Sequence, residues 1–319
     1  MNFRTEITIR KMEPLIHFED ELLFIGSCFV ENIGKKFQDA GFQTTINPFG
    51  TLYNPASIHQ ALQKLMHPKP FTTDDLFYHQ GLWHSFSHHS RFSRISKTET
   101  VESINEELTE GANRLKNAKW ILVTFGTTSV YREASTGHLV ANCHKMPETH
   151  FVKQQLSQSE IVSSFVSLLT EWHQTNPALQ WIFTVSPIRH WKDGAHENQI
   201  SKATLLLTIE QLQQTFPFVH YFPAYEIMMD ELRDYRFYAD DMLHPSPLAI
   251  EFIWEKVLQA VIDEQAKPIL NEINAIQKAL NHRSFRPDSE ADQLFQQKTK
   301  ERIRRLQAIY PFVHFNNER

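Results

Sequence analysis

Cysteine is scarce in this 319-residue chain: Cys28 and Cys143 are the only two, too few for a disulfide framework, and reduced thiols are the expected state. An excess of positive charge is missing as well. A net charge of -5 and a pI near 6.4 give no basic field to draw in nucleic acid or an anionic bilayer, so neither is expected as a partner. No apolar run is long enough to span a bilayer. Residues 1–19 carry Arg4, Glu6, Arg10, Lys11 and Glu13 and lack the unbroken apolar stretch of a signal peptide, so a cytoplasmic protein is expected. Internal repeats and low-complexity tracts are also lacking, so the C-terminal part is expected as a packed helical extension.

What is present is an alternation of short apolar runs with helix-period segments. Leu22 to Ile25, Trp120 to Phe125, Trp181 to Val185 and Val219 to Phe222 have the continuous apolar character of strands buried on both faces. Thr44 to Ile46 is a weaker fifth candidate. Helical spacing follows or precedes them, as in Phe29, Ile33 and Phe37, or Ile161, Phe165, Leu168, Leu169 and Trp172. This pattern predicts an α/β fold, a three-layer, doubly wound parallel sheet of about five strands, flavodoxin-like in order. Residues 71–93 break the pattern and read as an inserted loop or hairpin. Ser246-Pro247 is a good N-cap and first-turn pair for a helix over 250–262. Two further amphipathic helices, Ile269 to Leu280 and Ala291 to Tyr310, flank a connection from His282 to Pro287. The expected organisation is a main domain over 1–264 and a helical extension over 265–319 packed on it.

Two motifs carry the chemistry. Gly26-Ser27-Cys28-Phe29 directly follows the first apolar run, and Asp240-Asp241-Met242-Leu243-His244-Pro245-Ser246 precedes the 250–262 helix. A serine at a strand-to-helix junction sits on a rigid element, where the helix N-terminus presents N–H groups to a developing oxyanion. The same position suits a plain N-cap. Asp241 and His244, three residues apart in a turn, allow the carboxylate to orient the imidazole that would take a proton from the nucleophile. Cys28 is a rival nucleophile, since a thiol at a helix N-terminus is activated; its expected direction, about a quarter turn from Ser27, favours packing.

The run Phe24-Ile25-Gly26-Ser27-Cys28-Phe29-Val30-Glu31-Asn32-Ile33-Gly34, followed by Asn47-Pro48-Phe49-Gly50-Thr51-Leu52-Tyr53-Asn54-Pro55, resembles the signature of the GSCFA domain family. Position 30 is Val where the Gly-Ser-Cys-Phe-Ala motif has Ala. The resemblance extends to the SGNH (GDSL-like) esterases and implies Ser27 as nucleophile, His244 as general base and acid, and Asp241, in preference to Asp240, as its orienting carboxylate. It implies Gly50 as an oxyanion donor. The usual Gly-x-Asn-Asp block is replaced here by Gly126-Thr127-Thr128-Ser129, so the asparagine is missing. Gly126 is expected to keep the backbone turn, with Asn142 as a substitute donor or a simple turn residue.

Arg189 and His190 follow a strand and belong on the same rim, where either suits a substrate contact. His79, His84, His88 and His89 lack the ligand pattern of a metal site and are expected as surface or substrate-edge residues. The expected activity is hydrolysis of a carboxylic O-acyl ester of a small molecule, such as an acetylated carbohydrate, with no metal and no organic cofactor. An acyltransferase with the same triad, or a non-catalytic binding module on a hydrolase scaffold, are the alternatives.

Overall fold

A computed structural model describes residues 5–282, 286 and 289–315. The chain enters the core through β1 (Glu21–Gly26), turns into α1 (Cys28–Asp39), and returns as β2 (Gln43–Ile46) and α2 (Pro55–Met66). A hairpin of β3 (Phe77–His79) and β4 (Leu82–His84) precedes the long α3 (Lys97–Asn117) and the central β5 (Trp120–Phe125). Next come β6 (Ser129–Glu133), β7 (Leu139–Val140) and β8 (Phe151–Gln155), then α4 (Gln158–Thr175), β9 (Gln180–Val185), α5 (Ala195–Thr215) and β10 (Val219–Tyr221). The short α6 (Ala224–Glu226) runs into a π-helical turn at Ile227–Glu231, and α7 (Pro247–Val261), α8 (Lys267–Asn281) and α9 (Glu290–Ile309) complete the chain.

Five strands form one parallel sheet in the order β10-β9-β5-β1-β2. Alternation of side chains explains why the runs are apolar throughout. Leu22 and Phe24 enter one core with α1, α7, α8 and α9, whereas Leu23 and Ile25 enter a second core with α2, α3, α4 and α5. Order reverses between β1 and β5, and the carboxyl ends at such a switch point are where this class of sheet holds ligands.

All five expected strands are present, and the hairpin lies inside the expected 71–93 insertion. The three-stranded antiparallel sheet β7-β6-β8 is an addition the sequence does not announce. Its outer strand, Phe-Val-Lys-Gln-Gln, is largely solvent-exposed and lacks an apolar run. On the opposite side, α8 and α9 bury Ile273, Ile276, Ile303 and Leu306 in the core shared with α1 and α7, and the Phe18 ring meets Tyr310 edge-on at 5.0 Å. The connection expected to reach Pro287 falls mostly outside the described residues.

Candidate active site

The first arm of the site is built where β1 gives way to α1. Gly26 has φ +139, and a Cβ there would lie 2.3 Å from the carbonyl oxygen of Thr124 on β5, so only glycine allows the strand to leave this closely packed. Its N–H donates to Asn47 Oδ1 at 2.8 Å, and its carbonyl accepts from Leu52 N–H at 2.9 Å. The peptide before the helix is thus fixed from both sides. Glu31, one turn into α1, accepts from Asn47 Nδ2 at 3.0 Å and from Thr51 Oγ1 at 2.7 Å, tying the 47–52 loop to the helix.

The second arm is the turn before α7. Asp241 Oδ1 accepts from the N–H groups of Leu243 and His244, both at 2.9 Å, and its Oδ2 lies 2.5 Å from His244 Nδ1. Three fixed contacts leave the carboxylate one orientation. The backbone N–H groups of His244 and Leu243, together with the imidazole, hold the Asp241 pKa down to about 2. Met242 supplies the left-handed backbone, φ +59, that lets the turn close, and Ala239 N–H donates across it to His244 O at 2.7 Å. Asp240 is exposed and takes no part in this arrangement.

His244 Nε2 reaches toward α1, and the side chain it meets is Cys28, with Sγ at 3.7 Å. Ser27, expected as the nucleophile, is not in this line. Its residue is 1% exposed and its Oγ is buried without a hydrogen-bond partner. At the N-cap with ψ 172 its side chain turns inward and does not even cap the helix. Ser27 is thus packed in the interior, while half-buried Cys28 faces the histidine. Burial raises the Cys28 pKa above its ordinary value, and the Glu31 carboxylate raises it further. The N–H groups of Cys28 and Phe29 at the helix start, and the Lys202 ammonium, act in the opposite direction.

Two backbone amides near this junction are hydrogen-bonded within the chain. Gly50 N–H donates to Asn47 O at 2.7 Å, and Ser27 N–H donates to Thr124 O at 3.3 Å, so both amides serve the fold. Gly50 is required instead by its φ of +75 and by His89, whose Cβ would lie 2.2 Å from an added methyl. Asn142 is a turn residue: its Oδ1 accepts from His144 N–H at 2.9 Å, and its Nδ2 reaches Ser90 Oγ at 3.5 Å.

Gly126 and His190 do come together. A Cβ on Gly126 would lie 3.0 Å from His190 Nε2 and 2.8 Å from Tyr53 O, and the Tyr53 and His190 rings meet edge-on at 5.4 Å. Burial, and then the Lys202 charge, lower the His190 pKa to about 4, so this ring is neutral at pH 7. Arg189 sends a guanidinium nitrogen to Met229 Sδ at 3.2 Å.

The histidine-rich insertion is not the surface cluster expected: His84 and His88 are buried, and its Phe71, Leu76 and Phe92 join the core shared with α2 to α5. His84 bonds Ser93 Oγ at 2.6 Å and His79 O at 3.1 Å, while His88 stacks on Phe49 at 4.8 Å and bonds Ser85 Oγ at 2.9 Å. Burial lowers His88 to about 3 and His144 to about 4. Among the described residues no group of three or more His, Cys, Asp or Glu side chains is arranged to hold a metal, and no helix is long and apolar enough to cross a membrane. Sequence reasoning assigns no role to Glu31, Asn47, Tyr53 or Lys202; the first three lie within the two quoted family motifs, and Lys202 within neither.

The sequence profile of the GSCFA family matches residues 21–257, and that of the GSCFA domain protein C-terminal domain matches residues 273–319. The chain belongs to the GSCFA family. No curated protein matches it in sequence. Among solved structures it is similar to a family 3 carbohydrate esterase of Clostridium thermocellum, at 11% identity and a TM-score of 0.34, covering 79% of this chain and 98% of that one. A carbohydrate esterase family 3 protein from Talaromyces cellulolyticus is similar at 10% identity and a TM-score of 0.35, over 80% and 99% of the two chains. Likeness at this level carries no inference about activity.

Proposed function

We propose that the chain is a hydrolase of O-acyl esters that uses Cys28 as its nucleophile, His244 as general base and acid, and Asp241 to orient the imidazole. The observation that carries this reading is the line from Cys28 Sγ through the His244 ring to Asp241, with separations of 3.7 and 2.5 Å. Asp241 on Nδ1 favours the tautomer whose Nε2 lone pair is turned to the thiol. An apo separation somewhat beyond hydrogen-bond length suits a pair that tightens on substrate.

His244 Nε2 takes the thiol proton as Sγ adds to the ester carbonyl carbon. The tetrahedral oxyanion forms beside the α1 N-terminus, where the N–H groups of Cys28 and Phe29 and the helix dipole stabilise negative charge. Collapse breaks the carbon–oxygen bond, and the imidazolium returns its proton to the departing alcohol. The acyl group is left on sulfur as a thioester. Water then gives a proton to His244 and attacks the thioester carbonyl; the carbon–sulfur bond breaks, the acid leaves, and the thiol is restored. In this reading 1–264 is the hydrolase domain and 265–319 a helical extension.

Labelling tests it directly. A short-chain O-acyl ester should leave a transient acyl mass on the tryptic peptide containing Cys28, discharged by hydroxylamine at neutral pH as thioesters are. An acyl group stable to neutral hydroxylamine, carried on a serine, would overturn the thiol mechanism.

A further inference from the structure

The Arg189 guanidinium stands at the carboxyl edge of the sheet with few of its donors met. It follows β9, one residue before the His190 ring that approaches Gly126. Arg189 is half-buried, its Nε–H is buried without a hydrogen-bond partner, and an Nη2–H donates to Met229 Sδ at 3.2 Å. A thioether is a weak acceptor. Among the described residues Arg189 forms no ion pair with a carboxylate.

Acids are present beside Met229, yet each is placed elsewhere. Met229 belongs to the π-helical turn Ile227–Glu231, a rare geometry that recurs at functional sites. Glu226 accepts from the Tyr221 hydroxyl at 2.9 and 2.7 Å, Glu231 accepts from Ile7 N–H at 3.0 Å and pairs with Lys256 at 3.3 Å, and Asp230 is exposed. A guanidinium that loses water on one side without gaining an anion is costly, so an acceptor from outside the chain would account for it. The cations of α5 and of the segment after the π-helical turn are already committed. Lys202 Nζ donates to Gly126 O and Ser186 O, both at 2.7 Å, Arg236 pairs with Asp234 at 2.8 Å, and Arg233 donates to Thr5 Oγ1 at 2.9 Å. A single guanidinium suits a monoanion, and its planar fork matches a carboxylate.

We propose that Arg189 is a specificity-determining residue that holds a carboxylate on the alcohol part of the substrate, so that the preferred substrates are acyl esters of hydroxy acids. The proposal rests on the ester-hydrolase reading and not on which residue is the nucleophile. Register supplies the reach. Gly26, Thr124 and Thr184 are aligned across β1, β5 and β9, and strands spaced about 4.8 Å put the ends of β1 and β9 roughly 10 Å apart. A few methylene groups between ester and carboxylate span that distance. The alcohol side follows from the catalytic turn. Tyr238, whose pKa burial raises and the Arg189 charge lowers, pairs with Pro245, the residue after the histidine that protonates the departing alcohol.

The test compares two series, ω-acetoxy carboxylates from acetoxyacetate to acetoxyhexanoate and their primary amides, which keep the shape and lack the charge. In the unaltered protein at least one acid should exceed its amide in kcat/KM by about 10-fold or more, through KM. Arg189→Met should erase that preference by raising KM for the acid while the amide keeps its kcat and KM, and Arg189→Lys should recover part of it. Equal treatment of every acid and its amide by the unaltered protein overturns the proposal, as does an equal loss for both in Arg189→Met. Where Arg189→Met does not fold, the unaltered protein decides: hexanoate should compete with a neutral ester about 10-fold better than hexanamide, and equal inhibition overturns the proposal. Failure of the underlying reading looks different. If neither series turns over, the hydrolase reading falls; hexanoate should still shift the Arg189 Nε–H resonance in NMR and hexanamide should not, and equal shifts overturn the carboxylate subsite as well.

Discussion

Cys28 Sγ and His244 Nε2 lie 3.7 Å apart across 216 residues of sequence, while the hydroxyl of Ser27, one residue before, reaches no partner at all. That relationship decides how the two residues should respond to mutation. Cys28→Ala and His244→Ala should each remove nearly all turnover of a short-chain O-acyl ester, and the double variant should be little worse than either, because the two act as one unit. Ser27→Ala should keep most of the activity. It should also be stabilised, by on the order of 1 kcal/mol, because a buried hydroxyl without a partner is removed. Loss of turnover in Ser27→Ala, with activity kept in Cys28→Ala, would return the nucleophile to serine.

Asp241→Asn should lower kcat by roughly 10³-fold or more, since an amide no longer enforces the Nδ1–H tautomer. Asp240→Asn should change it little, because Asp240 is exposed and outside the Asp241–His244 contacts. Equal losses in the two variants would mean that the turn carries the activity through its shape and not through the Asp241 carboxylate.

Glu31→Gln separates charge from architecture at the first arm. The amide oxygen can still accept from Asn47 and Thr51, so the loop stays tied while the charge that raises the Cys28 pKa is gone. The pH profile of iodoacetamide alkylation of Cys28, measured in a Cys143→Ala background, should therefore move to lower pH. A shift upward would show that Glu31 acts on the thiol through structure instead.

Acid should unfold the protein early. His88 is lowered to about 3 in the fold, and His144 and His190 to about 4, from an ordinary value of 6.5. As pH falls through 6.5 the unfolded chain binds these protons first, so the stability present above that pH is lost until the folded groups protonate near 4 and 3. Each fully depressed histidine steepens the loss by about 1.4 kcal/mol per pH unit. Urea midpoints should fall markedly between pH 7 and pH 5, and His88→Gln should make that dependence shallower. A midpoint flat over this range would show that the three rings are protonated in the folded state.

The parallel sheet is legible in the sequence because strands buried on both faces must be apolar at every position, as Leu22 to Ile25 and Trp120 to Phe125 are. The β6 to β8 sheet is not, since it lies on the surface and its strands are short or polar. The His244 turn is equally clear, because every contact that shapes it is local. What the sequence does not reveal is which of two adjacent residues at a strand-to-helix junction faces the cleft. A shift of one residue there swaps interior and site, and Ser27 and Cys28 differ by that one step. Lys202 is hidden for a related reason. A lysine within a helix ordinarily reads as solvated, and only the packing of α5 against the ends of β5 and β9 shows that this one is not.

The two arms of the site are held by unequal means. The sulfur stands on a peptide pinned by Asn47, Leu52 and Thr124 within the sheet, whereas the side chains of His244 and Asp241 are each 48% exposed on a turn closed by local bonds. Assembly of the pair is thus governed by the surface turn alone. Amide exchange should be slow at 22–28 and faster at 239–246, and a bound acyl ligand should slow only the second segment. Whatever gates this chemistry would act by holding or releasing a few residues at the molecular surface, with the sheet as an immobile anvil beneath.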